Sequence, residues 1–420
     1  MAVDTLPEPD RLLGEPEFFA DPYLVYDRLR DEQPVFWSER WGCWLLTRYR
    51  DVHSCLRANG VFSNVGRQAA MLHSLPAGQR AGLRDLESHY SAGGLSNQDP
   101  PTHTRLRGLV NRALTPRVVA DLGPRVQQIV DDLLDRIDTD KPVDLIREFA
   151  HPLPAIVIAE LLGLPPDDRE TFKIWSDEIT AFLGAGRPDA ESAARGQQSM
   201  LAMRAYLARM ITLRRAEPAD DLLTGFILAE QRGDALSENE ILGSCVTLLL
   251  GGHETTTNLI GNGLLALLRN PDQLSRLRHD PDLMPTAVEE LLRFDPPVQR
   301  IWRLLACDVT IGGERLTSGE SVFLMIGAAN RDPAQFPEPD MLDVGRQPNR
   351  HLSFGHGIHF CLGATLARLE ASRALAALLR RFPQIERATD TVDFYPNIAF
   401  RGLASLPVVL SSAGRGGMPI

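Results

Sequence analysis

Eleven residues concentrate the chain's reactive side chains: Ser353-Phe354-Gly355-His356-Gly357-Ile358-His359-Phe360-Cys361-Leu362-Gly363. They hold two histidines, one thiol and three glycines. Zinc uses such ligands, but a structural zinc site draws on two short ligand pairs, and no second Cys/His pair exists here. A nucleophilic cysteine needs a base and an orienting group. His359 lies two residues away, on the same face of an extended chain, yet no nucleophile elbow accompanies it. Two readings remain: a buried structural cysteine, or a lone thiolate ligand to a haem iron. A haem thiolate must be shielded and its charge balanced. Gly355, Gly357, Leu362 and Gly363 flank Cys361, and glycines let the backbone turn its N–H groups toward sulfur. The helix predicted over Ala364–Phe382 would bring its positive end close to the thiol.

A second cluster lies in Gly251-Gly252-His253-Glu254-Thr255-Thr256-Thr257-Asn258. It sits midway along Leu242–Leu268, a stretch with no Lys or Arg. Ser237 followed by Glu240 is a capping-box start, and Asn270-Pro271 is a stop. The helix between them spans roughly 45 Å, the width of a whole domain. A carboxylate and a run of polar groups at mid-span would be costly in lipid, so the helix is expected to cross a protein core. Buried polar groups need partners. Either the glycines permit close packing and Glu254 pairs with a buried base, or a cavity opens at mid-helix with Glu254 and a threonine lining it.

Helical periodicity dominates the rest, as in Pro124–Ile137. Short strands are predicted at Val35–Trp37 and Cys43–Thr47, forming a hairpin. A second hairpin is expected from Val309–Ile311 through Gly312-Gly313 to Ser321–Leu324, and further strands around Gly402 in Asn397–Leu410. The fold class is mainly α with a minor β region, in one domain over 1–420, with 1–15 and 411–420 loose. Asn64–Pro101 reads as a long irregular segment, either a functional loop or a surface insert. The net charge of −11 argues against nucleic acid or anionic lipid as partner. Five scattered cysteines without C-x-x-C predict a reducing compartment. The N-terminus lacks a basic start and apolar core, so no signal peptide is expected, and a cytoplasmic location is.

Phe354-Gly355-x-Gly357-x-His359-x-Cys361-x-Gly363 resembles the haem-binding loop of the cytochrome P-450 family, F-G-x-G-x-H-x-C-x-G, at every fixed position. Glu290-Leu291-Leu292-Arg293 is similar to the family's E-x-x-R. Gly251–Thr256 resembles its central-helix motif, and His103–Arg107 its H-x-x-x-R segment. The motifs stand in family order, the resemblance spans about 15–410, and it is greatest to the soluble bacterial branch. It implies the cytochrome P-450 fold, with haem b (iron protoporphyrin IX) between the long central helix and the cysteine loop. Cys361 would be the axial iron ligand, and Phe354 and Gly355 would pack on its side of the haem. His103, Arg107, Arg303 and His359 would meet the propionates, with Arg300 a neighbouring candidate for Arg303. Glu290, Arg293 and Arg346 would form a buried structural network. Glu254 and Thr255 would relay protons to iron-bound dioxygen, with Gly251 and Gly252 leaving room for it. The substrate would touch Thr247, Leu248, Gly251, Val298, Ile301, Ala399 and Phe400.

The resemblance implies a monooxygenase inserting one atom of O2 into a hydrophobic small molecule, by hydroxylation or epoxidation. Electrons would come from a separate ferredoxin and its NAD(P)H-dependent reductase, docking on Arg105, Arg112 and Arg368, and the enzyme would act as a monomer. A peroxygenase, isomerase or oxidative-coupling enzyme on the same fold is the alternative. A non-catalytic haem sensor would need neither the Glu254–Thr255 pair nor a wide substrate loop.

Overall fold

The computed structural model describes residues 8–73, 75–91, 94–185, 189–231 and 236–411. Helices dominate them, with a five-stranded, a three-stranded and a two-stranded sheet. The predicted first hairpin forms: Val35–Ser38 pairs antiparallel with Cys43–Leu46. The second differs. Val309–Ile311 turns through Gly312 and Gly313, both at positive φ, and pairs at once with Glu314–Leu316. Ser321–Met325 instead enters the large sheet between Cys43–Leu46 and Arg300–Leu305. A two-glycine turn closes on the nearest partner, and the apolar Ser321–Met325 strand is left for the buried sheet. Near the C-terminus, Pro407–Ser411 is a strand, while Phe400 and Leu403 form only isolated bridges.

The central helix runs over Glu238–Arg269, with the predicted capping box complete at Ser237 and Glu240 and with Asn270 at its end. Every residue from Thr256 to Leu267 is buried, so this half threads the core. Its glycines allow close approach: a Cβ on Gly263 would come 2.9 Å from Leu291 Cδ1. Pro152–Leu162, the Glu290-bearing helix Met284–Phe294 and the helix Ala364–Arg381 pack around it. Among the described residues no helix is long and apolar enough to cross a membrane.

Two expectations about loose segments need correction. Glu8–Leu12 is helical, Asp10 is buried, and its carboxylate accepts 2.5 Å from Ser38 Oγ, so the start of the chain from residue 8 is packed. Residues 1–7 and 412–420 lie outside the described set. The segment expected to be irregular contains helices at Arg67–His73 and Arg84–Ser91, with shorter turns at Ala77–Arg80, Ala81–Leu83 and Leu95–Asn97. Its glycines and prolines punctuate short helices instead of preventing them.

Glu290 anchors a buried network. Arg293 Nε and Nη2 donate to its two oxygens at 2.7 and 2.8 Å, and Arg346 Nε reaches both at 3.1 Å. Asp343 N and Asn349 Nδ2 complete the set at 3.0 and 3.1 Å. The arginines also donate to the carbonyls of Asn330, Pro337, Glu338, Pro339 and Met341, which ties the segment 330–349 to the Glu290 helix. Asn330 in turn donates to Ser353 Oγ at 2.8 Å, at the start of the cysteine loop.

Candidate functional site

The cysteine loop is held by its own backbone. Gly355 N–H donates to Leu352 O and Cys361 N–H to Phe354 O, both at 2.8 Å. Gly357 sits at φ 76°, and a Cβ there would lie 2.8 Å from Leu56 O, so the position accepts only glycine. These bonds present the Cys361 thiol to a cavity of about 360 Å³. Burial pushes the thiol up. The backbone N–H of Gly363 and the charges of Arg107 and Arg368 oppose this without reversing it. Of the backbone donors expected around sulfur, Gly363 is the one found; the N–H of Gly355 is spent on Leu352. The two loop histidines diverge, His356 against His53 at 4.4 Å and His359 against His103 at 4.1 Å between ring centres. Among the described residues no group of three His, Cys, Asp or Glu is placed to hold a metal ion.

Phe354 joins Cys361 on the cavity wall and is covered by Arg368, whose guanidinium lies 4.4 Å from the ring centre. Arg368 grips Glu289 with two bonds, at 2.6 and 2.8 Å, and His351 adds a third contact at 3.1 Å. Burial alone would raise the Glu289 carboxyl. The hydrogen bonds from Arg368 and His351, with their charges, outweigh it and hold the group at about 2 against an ordinary 4.5. Its folded value is depressed, so its stabilisation is present above pH 4.5 and lost as pH falls toward about 2. Glu289→Gln is therefore expected to flatten the acid limb of a Tm-against-pH curve. The stability difference should be about 1–2 kcal/mol, reduced by solvent at half-exposed Arg368. An unchanged acid limb would show that the pair does not stabilise the fold.

Arg107 and Arg303 line the cavity, as does His359. His359 is held neutral at about 3 by burial and then by the charges of His103, Arg303, Arg67 and Arg107. His103 does not reach the cavity wall. It is buried behind His359, and neither of its ring nitrogens finds a partner. Arg303 is buried with its Nε unpartnered, while Arg300 points away, stacked 3.9 Å over Phe323 and donating to Leu183 O at 3.2 Å. That settles which of the two arginines faces the site. The sequence reading missed Arg67, which also lines the cavity. It lies in the segment expected to be irregular, where no motif singled it out.

Thr247, Leu248, Gly251, Val298 and Ile301 line the cavity as expected. Ala399 and Phe400 do not. Their N–H groups are tied to Asn397 Oδ1, each at 2.9 Å, and Phe400 bridges Val298 from behind. Gly251 and Gly252 also separate in role. A Cβ on Gly251 would meet nothing within 4 Å, whereas one on Gly252 would lie 3.1 Å from Ile158. One glycine leaves open space and the other permits packing.

Glu254 and Thr255 face different spaces. Thr255 lines the Cys361 cavity, its hydroxyl donating to Gly251 O at 2.6 Å. Glu254 lines a second, polar cavity of about 610 Å³ together with Lys173, Asp177, His151, Asn258 and Tyr395. Successive helical residues are about 100° apart, so adjacent side chains fall on different walls. Asn258 donates to Glu254 at 3.2 Å, and Lys173 pairs with Asp177 at 2.7 Å. Burial, and then the charge of Asp177, raise the Glu254 carboxyl. The expectation that both residues share one cavity is thus corrected.

The arginines expected to dock a ferredoxin are already engaged. Arg368 is bound to Glu289 and Arg105 to Glu240, and Arg112 also has an interaction partner. They are not a field of unpaired cations.

The sequence profile described as "Cytochrome P450" matches residues 67–401. "Cytochrome P450 107B1" of Saccharopolyspora erythraea is 43% identical, covering 95% of this chain and 98% of the relative. The "Vitamin D(3) 25-hydroxylase" of Pseudonocardia autotrophica is 41% identical, over 98% and 99% of the two chains. Among solved structures, the myxobacterial cytochrome P450 CYP267B1 in complex with myristic acid superimposes with a TM-score of 0.87 at 39% identity, covering 96% of this chain and all of that one.

Proposed function

The chain belongs to the cytochrome P450 family, and from that premise we propose how its own residues serve a monooxygenase. Members hold iron protoporphyrin IX through a cysteine thiolate, and the residues present suit that group. A thiol faces the cavity, and Arg107, Arg303 and His359 stand on its wall without a carboxylate partner among the described residues. The side chains of Arg303 and His359 carry buried nitrogens with no acceptor. Cys361 would be the ligand, and these side chains would meet the two propionates. When bound, the haem supplies the oxidising chemistry, by which one atom of O2 enters the substrate and the other leaves as water after two electrons and two protons.

The remaining work falls to the chain. Thr255 spends its O–H on Gly251, so its lone pairs face the cavity and accept a hydrogen bond from a donor there, such as water. Glu254 holds a proton readily because its carboxyl is raised, and it draws on the polar cavity of Lys173 and Asp177. The pair would therefore set a proton-holding carboxylate on the polar side of the central helix and a water-holding hydroxyl on the apolar side. Thr247, Leu248, Gly251, Val298 and Ile301 form an apolar lining suited to a hydrophobic substrate, and the hydroxylase relatives favour C–H hydroxylation. Electrons would come from a separate ferredoxin in the cytoplasm, delivered to a monomer.

The observation that carries this reading is a thiol and a helix hydroxyl on one cavity, with a carboxylate directly behind. Thr255→Ala tests it. Product per NAD(P)H consumed should fall by about a hundredfold, the lower range for a lost proton-transfer group, with peroxide released in its place. Unchanged coupling would move the proton route elsewhere.

A further inference from the structure

His151 is a half-buried imidazole that the proton route through Glu254 leaves unused. It stands between the short helical segment Ile146–Ala150 and the helix Pro152–Leu162, and it lines the polar cavity that also holds Glu254. Its ring meets His253 edge to face, with centres 4.4 Å apart and planes at 81°. His253 immediately precedes Glu254 on the central helix and is buried, so the contact holds the His151 ring against the turn that carries Glu254. Nε2 of each ring finds no hydrogen-bond partner. Burial, and then the charge of His151, push His253 down to about 3. His253 therefore stays neutral and does not compete for a proton.

The charged groups around His151 differ in what they can do. From the helix Arg169–Gly184, Lys173, Asp177 and Glu170 act on it. Burial would lower the Lys173 ammonium, but the hydrogen bond and charge of Asp177 raise it, so it keeps its proton at neutral pH. Burial likewise raises the Tyr395 phenol. On the near side, Asp144 accepts from the N–H groups of Ile146 and Leu406 at 3.0 and 2.8 Å, and Arg147 pairs with Glu148 at 2.7 Å. Asp167, Glu170 and Tyr395 are exposed, so the cavity opens to solvent there. Burial, and then the charge of Lys173, lower His151 below its ordinary 6.5, against the pull of Asp177 and Glu170. Burial raises the Glu254 carboxyl above 4.5. An imidazole and a carboxyl thus move toward one another, the condition for easy proton exchange between them. We propose that His151 recharges Glu254, taking a proton from bulk water at the mouth of the polar cavity and passing it across cavity water to the carboxylate. The proton leaves an imidazolium N–H and arrives on a Glu254 oxygen. Neutral imidazole and a carboxylic acid result, and solvent restores the imidazolium. His151 acts through Glu254 and touches no substrate.

This inference rests on the proton route proposed through Glu254. In the haem-loaded enzyme at saturating reductant, His151→Gln should slow turnover by about tenfold, less than a direct proton donor would because cavity water still reaches Glu254. Raising the concentration of a small buffer acid that does not ligate iron, morpholinoethanesulfonate, should restore most of the loss and leave the wild type unchanged. Buffer does not repair a merely structural defect, so a buffer-insensitive loss overturns the proposal, as does a His151→Gln enzyme of wild-type speed. A second measurement needs no variant. In the diamagnetic ferrous carbon-monoxide form, the Cε1–H resonance of His151 in isotope-labelled protein should titrate between about pH 5 and 8, the range in which histidine carries protons near neutrality. A ring that holds one protonation state across that window also overturns it. Failure of the underlying route looks different: Glu254→Gln would then turn over at the wild-type rate. A slow Glu254→Gln beside a normal His151→Gln condemns the role of His151 alone.

Discussion

Cys361→His removes the strongly red-shifted Soret band of the reduced, carbon-monoxide-bound protein and lowers turnover by at least about a thousandfold. A thiolate pushes electron density onto iron and favours O–O cleavage, and imidazole does so far less. Histidine still ligates iron, so the variant separates loss of thiolate character from loss of haem. The loop should survive the change. Its shape depends on backbone bonds between Cys361 and Phe354 and between Gly355 and Leu352, and on the glycine at position 357. Arg107, Arg303 and His359 on the cavity wall are untouched by it. The carbon-monoxide difference spectrum is the check. A wild-type-like band in Cys361→His would remove Cys361 from the iron. Substantial turnover with a histidine-type band would show that this pocket does not need the thiolate.

Glu290→Ala costs about 3–5 kcal/mol, the usual penalty for stripping one partner from a buried ion pair. Against a total stability of about 5–15 kcal/mol, that leaves little folded protein. Glu290 and Arg293 have no exposed side-chain surface, and Arg346 has 11%. Both cations lose their one carboxylate together, and the N–H groups of Asp343 and Asn349 lose their acceptor. Glu290→Gln keeps the shape but not the charge, and is expected to lie between alanine and wild type. Urea unfolding of the purified proteins gives the comparison, with haem content as a second readout because the network leads through Asn330 to the cysteine loop. A change below about 1 kcal/mol would reduce the network to a well-formed but energetically idle contact.

The legible parts of this site were those written in contiguous residues. A loop whose glycines, histidine and cysteine have fixed spacing shows itself locally, and so does a helix bounded by a capping box and Asn-Pro. Side chains that reach the site from separate segments were harder. Arg67 arrives on a short helix in a stretch without a strong periodic signal, and only the fold brings it to Trp302. The pairing of Glu254 with Thr255 looked like a single feature because the two are neighbours in sequence. Their helical positions held the correction. Glu254 lies about 100° round the helix from Thr255 and lines one cavity with Thr257 and Asn258, while Thr247, Leu248, Gly251 and Thr255 line the other. Ala399 and Phe400 were placed by analogy of region, and the Asn397 side chain that turns their backbone away is not foreseeable from spacing.

The wall formed by the central helix divides two kinds of adaptation. One set of its residues lines the mostly apolar cavity of Cys361, and the other lines the polar cavity of Lys173 and Asp177. Substitutions at Thr247, Leu248 or Gly251 remodel what is accepted without entering the chamber of Lys173 and Asp177. On the proposed function, changes in that chamber would retune proton supply without altering the shape offered to the substrate. On the proposed function, a chain built this way would acquire new substrates by mutation while its proton supply stays constant, because the two sets of residues line different cavities along one helix.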